Sequence, residues 1–181
     1  HPDHCFAAID IKQLQQITAN VRDKVFVKEK LQKLHHRIKS RKATAFVPQW
    51  WNDVLILFEF ENKPLAHCNS LEKVTSFYTT DFHKADRAIR NIYASFLQDQ
   101  EIVRPLQEHY ESLNHELLQH WFEYSSQYQP NQQGFLPQLI AQSKPGTAII
   151  VGDGVRYEIA AFIASQLQQK CKVSLDIMLA D

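Results

Sequence analysis

The chain has 181 residues, 44% hydrophobic and 22% charged, with 20 Lys and Arg balancing 20 Asp and Glu. It can therefore bury a real core as one domain or two small ones, and any nucleic-acid affinity must come from a local patch. Four glycines and seven prolines favour long helices, no apolar run reaches membrane-spanning length and no signal-peptide pattern appears, so a soluble, cytoplasmic protein without a membrane partner is expected.

Three cysteines, Cys5, Cys68 and Cys171, are odd in number and far apart, which fits a reducing compartment and gives no disulfide framework. The chain opens on His1 instead of methionine and closes on an apolar run before Asp181, so both ends read as cut and a longer parent protein is expected. His1, His4 and Cys5 mimic a metal cluster, but chain ends fray and the grouping reads as incidental.

Residues 9–40 have helical periodicity, with Ile11, Leu14, Ile17 and Val21 on one face and then Val27, Leu31, Leu34 and Ile38 on another. Between Arg22 and Lys42 nine Lys and Arg stand against Asp23 and Glu29, a local net of plus seven. Lys33, Arg37 and Arg41 are the residues expected to meet DNA phosphates, with an acidic partner or a plainly solvated helix face as alternatives. Only Phe26 interleaves the charges, so base stacking is not indicated, and the adjacent His35 and His36 diverge too far to chelate one metal.

Pro48 precedes a helix whose Trp50, Trp51, Val54, Leu55, Leu57 and Phe58 read as core. Pro64 and the polar residues after it break that helix, and Asn69 or Ser70 caps the next. Asp81 is expected to cap a further helix carrying Ala85, Ile89, Ile92, Tyr93 and Phe96, with Asp86, Arg87 and Arg90 on its polar side. A long helix over about residues 102–128 follows, with Pro105 near its start. Residues 129–134 read as a linker, and 136–142 as a short helix.

The apolar run Thr147-Ala148-Ile149-Ile150-Val151, opened by Pro145-Gly146 and closed by Gly152, reads as a strand buried on both faces. A helix over 155–168 and an alternating run over 172–178 complete a right-handed βαβ unit, which is too small to make a stable sheet alone. The turn at Gly152-Asp153-Gly154 then lies at the carboxyl end of a parallel-type strand, where open α/β sheets place ligands. Asp153 is open to two roles there, cation or phosphate-ligand binding and helix N-capping. Arg156 and Glu158 in the first helical turn read either as functional groups or as a surface ion pair. A dinucleotide-binding loop is a weak alternative, because the third glycine of that fingerprint is missing.

Asp153-Gly154-Val155-Arg156-Tyr157-Glu158, with the apolar run before it and Ile159-Ala160 after it, resembles the signature of the PglZ family. That family belongs to the alkaline-phosphatase superfamily and occurs in bacterial BREX phage-defence systems. An upstream stretch, Tyr78-Thr79-Thr80-Asp81-Phe82-His83-Lys84-Ala85-Asp86-Arg87-Ala88-Ile89-Arg90, is similar to a helical segment that precedes the signature. Two motifs in the right order are more specific than one. Gly154 stands where many family members have alanine.

The resemblance implies a mainly α-helical domain over residues 1–135. Over residues 136–181 it implies a partial α/β (βαβ) unit, the start of an alkaline-phosphatase-like domain. It further implies a divalent metal, zinc foremost, with Asp153 as a ligand and Arg156 and Glu158 at positions expected to serve catalysis. The parent protein is expected to be a metal-dependent phosphatase or phosphodiesterase with other phage-defence proteins as partners. Its Ser or Thr nucleophile and further Asp and His ligands are expected beyond Asp181, so the fragment alone is expected to be inactive.

Overall fold

Eight α-helices form in the computed structural model, which describes residues 3–130 and 132–179. His1 of the amino-terminal His/Cys grouping and Asn131 of the expected linker lie outside the described residues. Helices α1 (Ala7–Ala19) and α2 (Lys24–Lys39) are parted by a turn that Asp23 closes, its carboxylate accepting from the Val25 N–H at 3.1 Å and the Phe26 N–H at 3.0 Å. Then come α3 (Trp50–Glu59) and α4 (Leu71–Phe77), the latter capped by Ser70, whose hydroxyl accepts from the Lys73 N–H at 3.3 Å. Asp99 caps α6 (Gln100–Tyr124), which begins two residues before the expected start. Among the described residues no helix is long and apolar enough to cross a membrane.

Asp81 does not cap a separate helix. A π-helical turn over Tyr78–Phe82 runs α4 directly into α5 (His83–Phe96), and Asp81 instead pairs with Lys84 at 3.1 Å. The local cause is hydroxyl competition for backbone carbonyls. Thr80 donates to the Ser76 carbonyl at 2.8 Å and Thr79 donates to the same oxygen at 3.1 Å, which eases the ladder apart without ending the helix.

Helix α5 is the element on which the others rest. Ala85 and Ala88 are fully buried on it and let α3 approach closely, so that Trp51, Val54 and Leu57 meet Ile89 and Ile92 in the main core. Helices α1 and α6 close that core with Leu14, Ile17, Ile102 and Leu106. A second cluster forms around Phe77, Phe82 and Leu117, with Phe60 set edge-on to Phe82 at 5.4 Å between ring centres.

One buried ion pair ties the amino-terminal helices to this core. Arg37, 2% exposed, reaches Asp10 through Nε at 3.0 Å and Nη2 at 2.8 Å, while Nη1 donates to the His4 carbonyl at 2.8 Å. Trp51 Nε1 adds a third hydrogen bond to the Asp10 carboxylate at 2.9 Å. Arg37 is therefore a structural residue, correcting its expected place in a DNA-facing row. Lys33 and Arg41 are exposed, as that row requires.

The carboxy-terminal part departs most from expectation. Helices α7 (Phe135–Gln142) and α8 (Tyr157–Leu167) form, but among the described residues there is no strand, so the βαβ unit is not formed. Residues 147–151 and 172–178 lack ladder partners, and Ile150 and Val151 are 92% and 78% exposed. The physical reason is the one that makes isolated two-stranded pairings marginal: without further strands or a covering layer, ladder bonds do not offset the ordering of the backbone.

Replacing Arg37 by Ala leaves the Asp10 carboxylate buried without its ionic partner, and is expected to lower stability by about 3–5 kcal/mol. Arg41→Ala, at an exposed position, is expected to change it by less than about 0.5 kcal/mol. Urea unfolding of both variants, with slopes compared to the parent, measures the difference. Equal midpoints would show that Arg37 is solvated.

Candidate functional site

The two segments singled out in the sequence, residues 78–90 and 153–160, lie far apart in the chain and meet where α8 packs on α5. Tyr157, the first residue of α8, places its ring centre 5.3 Å from the edge-on His83 ring and 6.0 Å from that of Tyr78. One turn on, the Arg87 guanidinium stands 3.6 Å over the centre of the Phe162 ring. Between these contacts Glu158 is driven into the interface at 1% exposure, with Arg90 Nε 2.6 Å from its Oε1. That contact is an ion pair without aligned N–H geometry, so both Glu158 oxygens lack a hydrogen-bond donor.

Asp153 sits in the turn ahead of α8 and is exposed. The cap residue of α8 is Arg156, in extended conformation and without a side-chain capping bond, so Asp153 is not spent on the helix N-terminus. Among the described residues its carboxylate has no hydrogen bond or ion pair. Gly154 adopts φ +66°, a left-handed conformation that costs an alanine about 1–2 kcal/mol. Gly154 is thus the residue that turns the loop. Arg156 is exposed beside a cavity of about 540 Å³ that Asp86, Tyr110 and Tyr157 also line.

Asp86 and its tyrosines form a network that the sequence reading missed. Asp86 was expected on a polar helix side, but it is buried and accepts from the Tyr78 hydroxyl at 2.8 Å and the Tyr110 hydroxyl at 2.6 Å. The available signal was spacing: Tyr78 precedes Asp86 by two helical turns and so shares its face. Burial, then the Asp86 charge and hydrogen bond, holds the Tyr78 phenol far above its usual range. Burial and the same carboxylate do so for Tyr110, with Arg156 and Arg90 opposing weakly.

On the other side of α8, Glu158 lines a cavity of about 380 Å³ with Asp53, His83, Arg87, Asn91 and Ser165. Burial raises the Asp53 carboxyl, against a hydrogen bond from Asn91 at 2.9 Å and the nearby Arg87 charge. Burial likewise pulls His83 down, partly offset by its Nδ1 hydrogen bond to the Tyr78 carbonyl.

Of the residues expected to serve catalysis or metal binding, Arg156 and Asp153 share the exposed turn, whereas Glu158 lies beneath α8 and faces α5. A zinc centre takes three or four donors. Among the described residues no three His, Cys, Asp or Glu side chains converge to hold a metal, and Asp153 supplies one carboxylate. These residues by themselves do not fit a zinc cage. Lys33 and Arg41 lie on α2 and in the turn after it, away from this turn, with no ion pair among the described residues. Compared with protein-family models, curated proteins and solved structures, the chain matches none.

The titrating groups predict a stability plateau. His83 and His109 are both held below the ordinary value of 6.5, in each case chiefly by burial. Above that pH folded and unfolded states are neutral alike, and below it the unfolded chain binds protons first, so stability falls as pH drops. Tyr78 and Tyr110 are held above 10.0, so stability falls again once the unfolded chain ionises above that pH. Thermal midpoints across pH should show both slopes, with the acid one smaller in His109→Phe. Absorbance titration should show two of the six tyrosines ionising only on unfolding, and six equivalent phenols would refute the Asp86 network.

Proposed function

We propose that this chain is the amino-side part of a PglZ-type protein, a helical domain joined to the opening of a metal-dependent phosphatase or phosphodiesterase domain. It acts in the bacterial cytoplasm beside other phage-defence proteins. The observation that carries this reading is the meeting of the two family-like segments through Tyr157 on His83 and Tyr78, and Glu158 on Arg90. Sequence stretches recognised separately are parts of one spatial unit.

On this reading the unit is a platform for the turn at residues 152–154. Asp153, exposed and not used as a cap, offers its carboxylate to a divalent ion, zinc foremost, and Arg156 offers a guanidinium to a phosphoryl oxygen. Glu158 acts as a positioning residue that seats α8. The remaining ligands and the Ser or Thr nucleophile belong to chain outside residues 1–181, and these residues alone are inactive. The exposed apolar run 149–151 fits the same reading, since a surface so apolar calls for a covering layer and the sheet of an alkaline-phosphatase-like domain is one.

A second reading, a protein- or DNA-docking module without catalysis, draws on the exposed Lys33 and Arg41 of the basic stretch. It loses Arg37 to the core.

The longer protein is expected to hydrolyse bis-nitrophenyl phosphate when zinc is supplied and to stop when zinc is chelated. Asp153→Asn should reduce turnover at least about a hundredfold, the scale of losing an electrostatic contact to developing charge. Glu158→Gln should leave measurable turnover. Full activity in Asp153→Asn would remove that carboxylate from the site.

A further inference from the structure

A further cavity lies on another face, where α2 meets the end of α3 and the middle of α6. It is a groove of about 710 Å³ whose floor is apolar, made by Val27 and Leu31 of α2 and by Phe58 and Phe60 across from them. His109 of α6 stacks on Phe58 at 4.8 Å between ring centres and is fixed by the Leu57 carbonyl at 3.1 Å, so burial keeps this imidazole neutral and the floor uncharged.

The two rims differ in charge. On the α2 side, Arg22, Lys24 and Lys28 line the groove and form no ion pair among the described residues. On the other side, Glu59 is paired with His35, and Glu61 with Lys63 at 2.9 Å. Glu61 thus has a cationic partner and Glu59 is held by an α2 imidazole, whereas the three cations of the α2 rim have no anionic partner among the described residues.

From this pairing of an apolar floor with three uncompensated cations, we propose that the groove docks a protein partner. Its segment carries Asp or Glu residues around one or two large apolar side chains. The apolar side chains fill the floor and the carboxylates meet Arg22, Lys24 and Lys28. Nucleic acid fits less well, because a phosphate backbone leaves the apolar floor unused. The site deepens the docking reading by naming its partner's chemistry and is independent of phosphoryl chemistry at Asp153, so loss of docking with hydrolysis intact would tell the two apart.

The probe is a fluorescein-labelled acidic peptide with a central Leu-Phe pair, followed by anisotropy at physiological salt. It is compared with an all-glutamate peptide of the same length and a short DNA duplex. The apolar-acidic peptide should bind about tenfold more tightly than the all-glutamate one, the scale of one buried apolar side chain. Lys24→Glu combined with Lys28→Glu should weaken it about tenfold through charge. Gln32→Trp, at an exposed position on the groove wall, should weaken it comparably by filling the floor. Both substitutions spare the core, and unchanged circular dichroism verifies the fold. No binding of the peptide, equal binding of the all-glutamate control, or indifference to Gln32→Trp would overturn the proposal. So would a DNA duplex that binds more tightly and displaces the peptide.

Discussion

A carboxylate removed from water is costly to hold, and the contact between α5 and α8 is built around one. Glu158 is almost wholly buried, its charge is answered by a single guanidinium from Arg90, and neither oxygen gains an aligned donor. Such a pair adds little net stability, but it penalises any packing that keeps Glu158 buried away from Arg90, because the charge would then lack its partner. Tyr157 against His83 and Arg87 over Phe162 supply the packing that makes this seat favourable. The position of the turn bearing Asp153 and Arg156 follows from this constraint.

Asp10 follows the opposite strategy. It is as buried as Glu158 yet takes three hydrogen bonds, two from Arg37 and one from Trp51, and so closes the amino-terminal helices onto the core. A fully answered charge of this kind rigidifies the packing around it.

Much of the helical fold was legible in the sequence because helices are specified locally. Ser70 announces a helix start, and Leu14, Ile17, Val54, Leu57, Ile89 and Ile92 mark inward faces by spacing. Non-local pairing hid the rest. Nothing in the sequence near Arg37 distinguishes it from Lys33 or Arg41, and its partners Asp10 and the His4 carbonyl, a whole helix away, draw it inward. Asp86 read as a surface acid for the same reason, since Tyr110 arrives from another helix. At 147–151 the composition speaks for a strand, but strand formation needs partners that composition cannot supply, and the run stays unpaired. Of the candidate site, the contact between residues 78–90 and α8 was not legible, because it joins segments far apart in the chain.

Amide hydrogen exchange across α8, compared between the protein and an Arg90→Ala variant, tests this account most directly. If the buried Glu158 charge seats α8 on α5, the amides of Tyr157–Leu167 are protected in the parent and lose protection in the variant, while those of α3 and α6 keep theirs. Equal protection of α8 in both proteins, or none in either, would contradict the claim that this ion pair positions the turn.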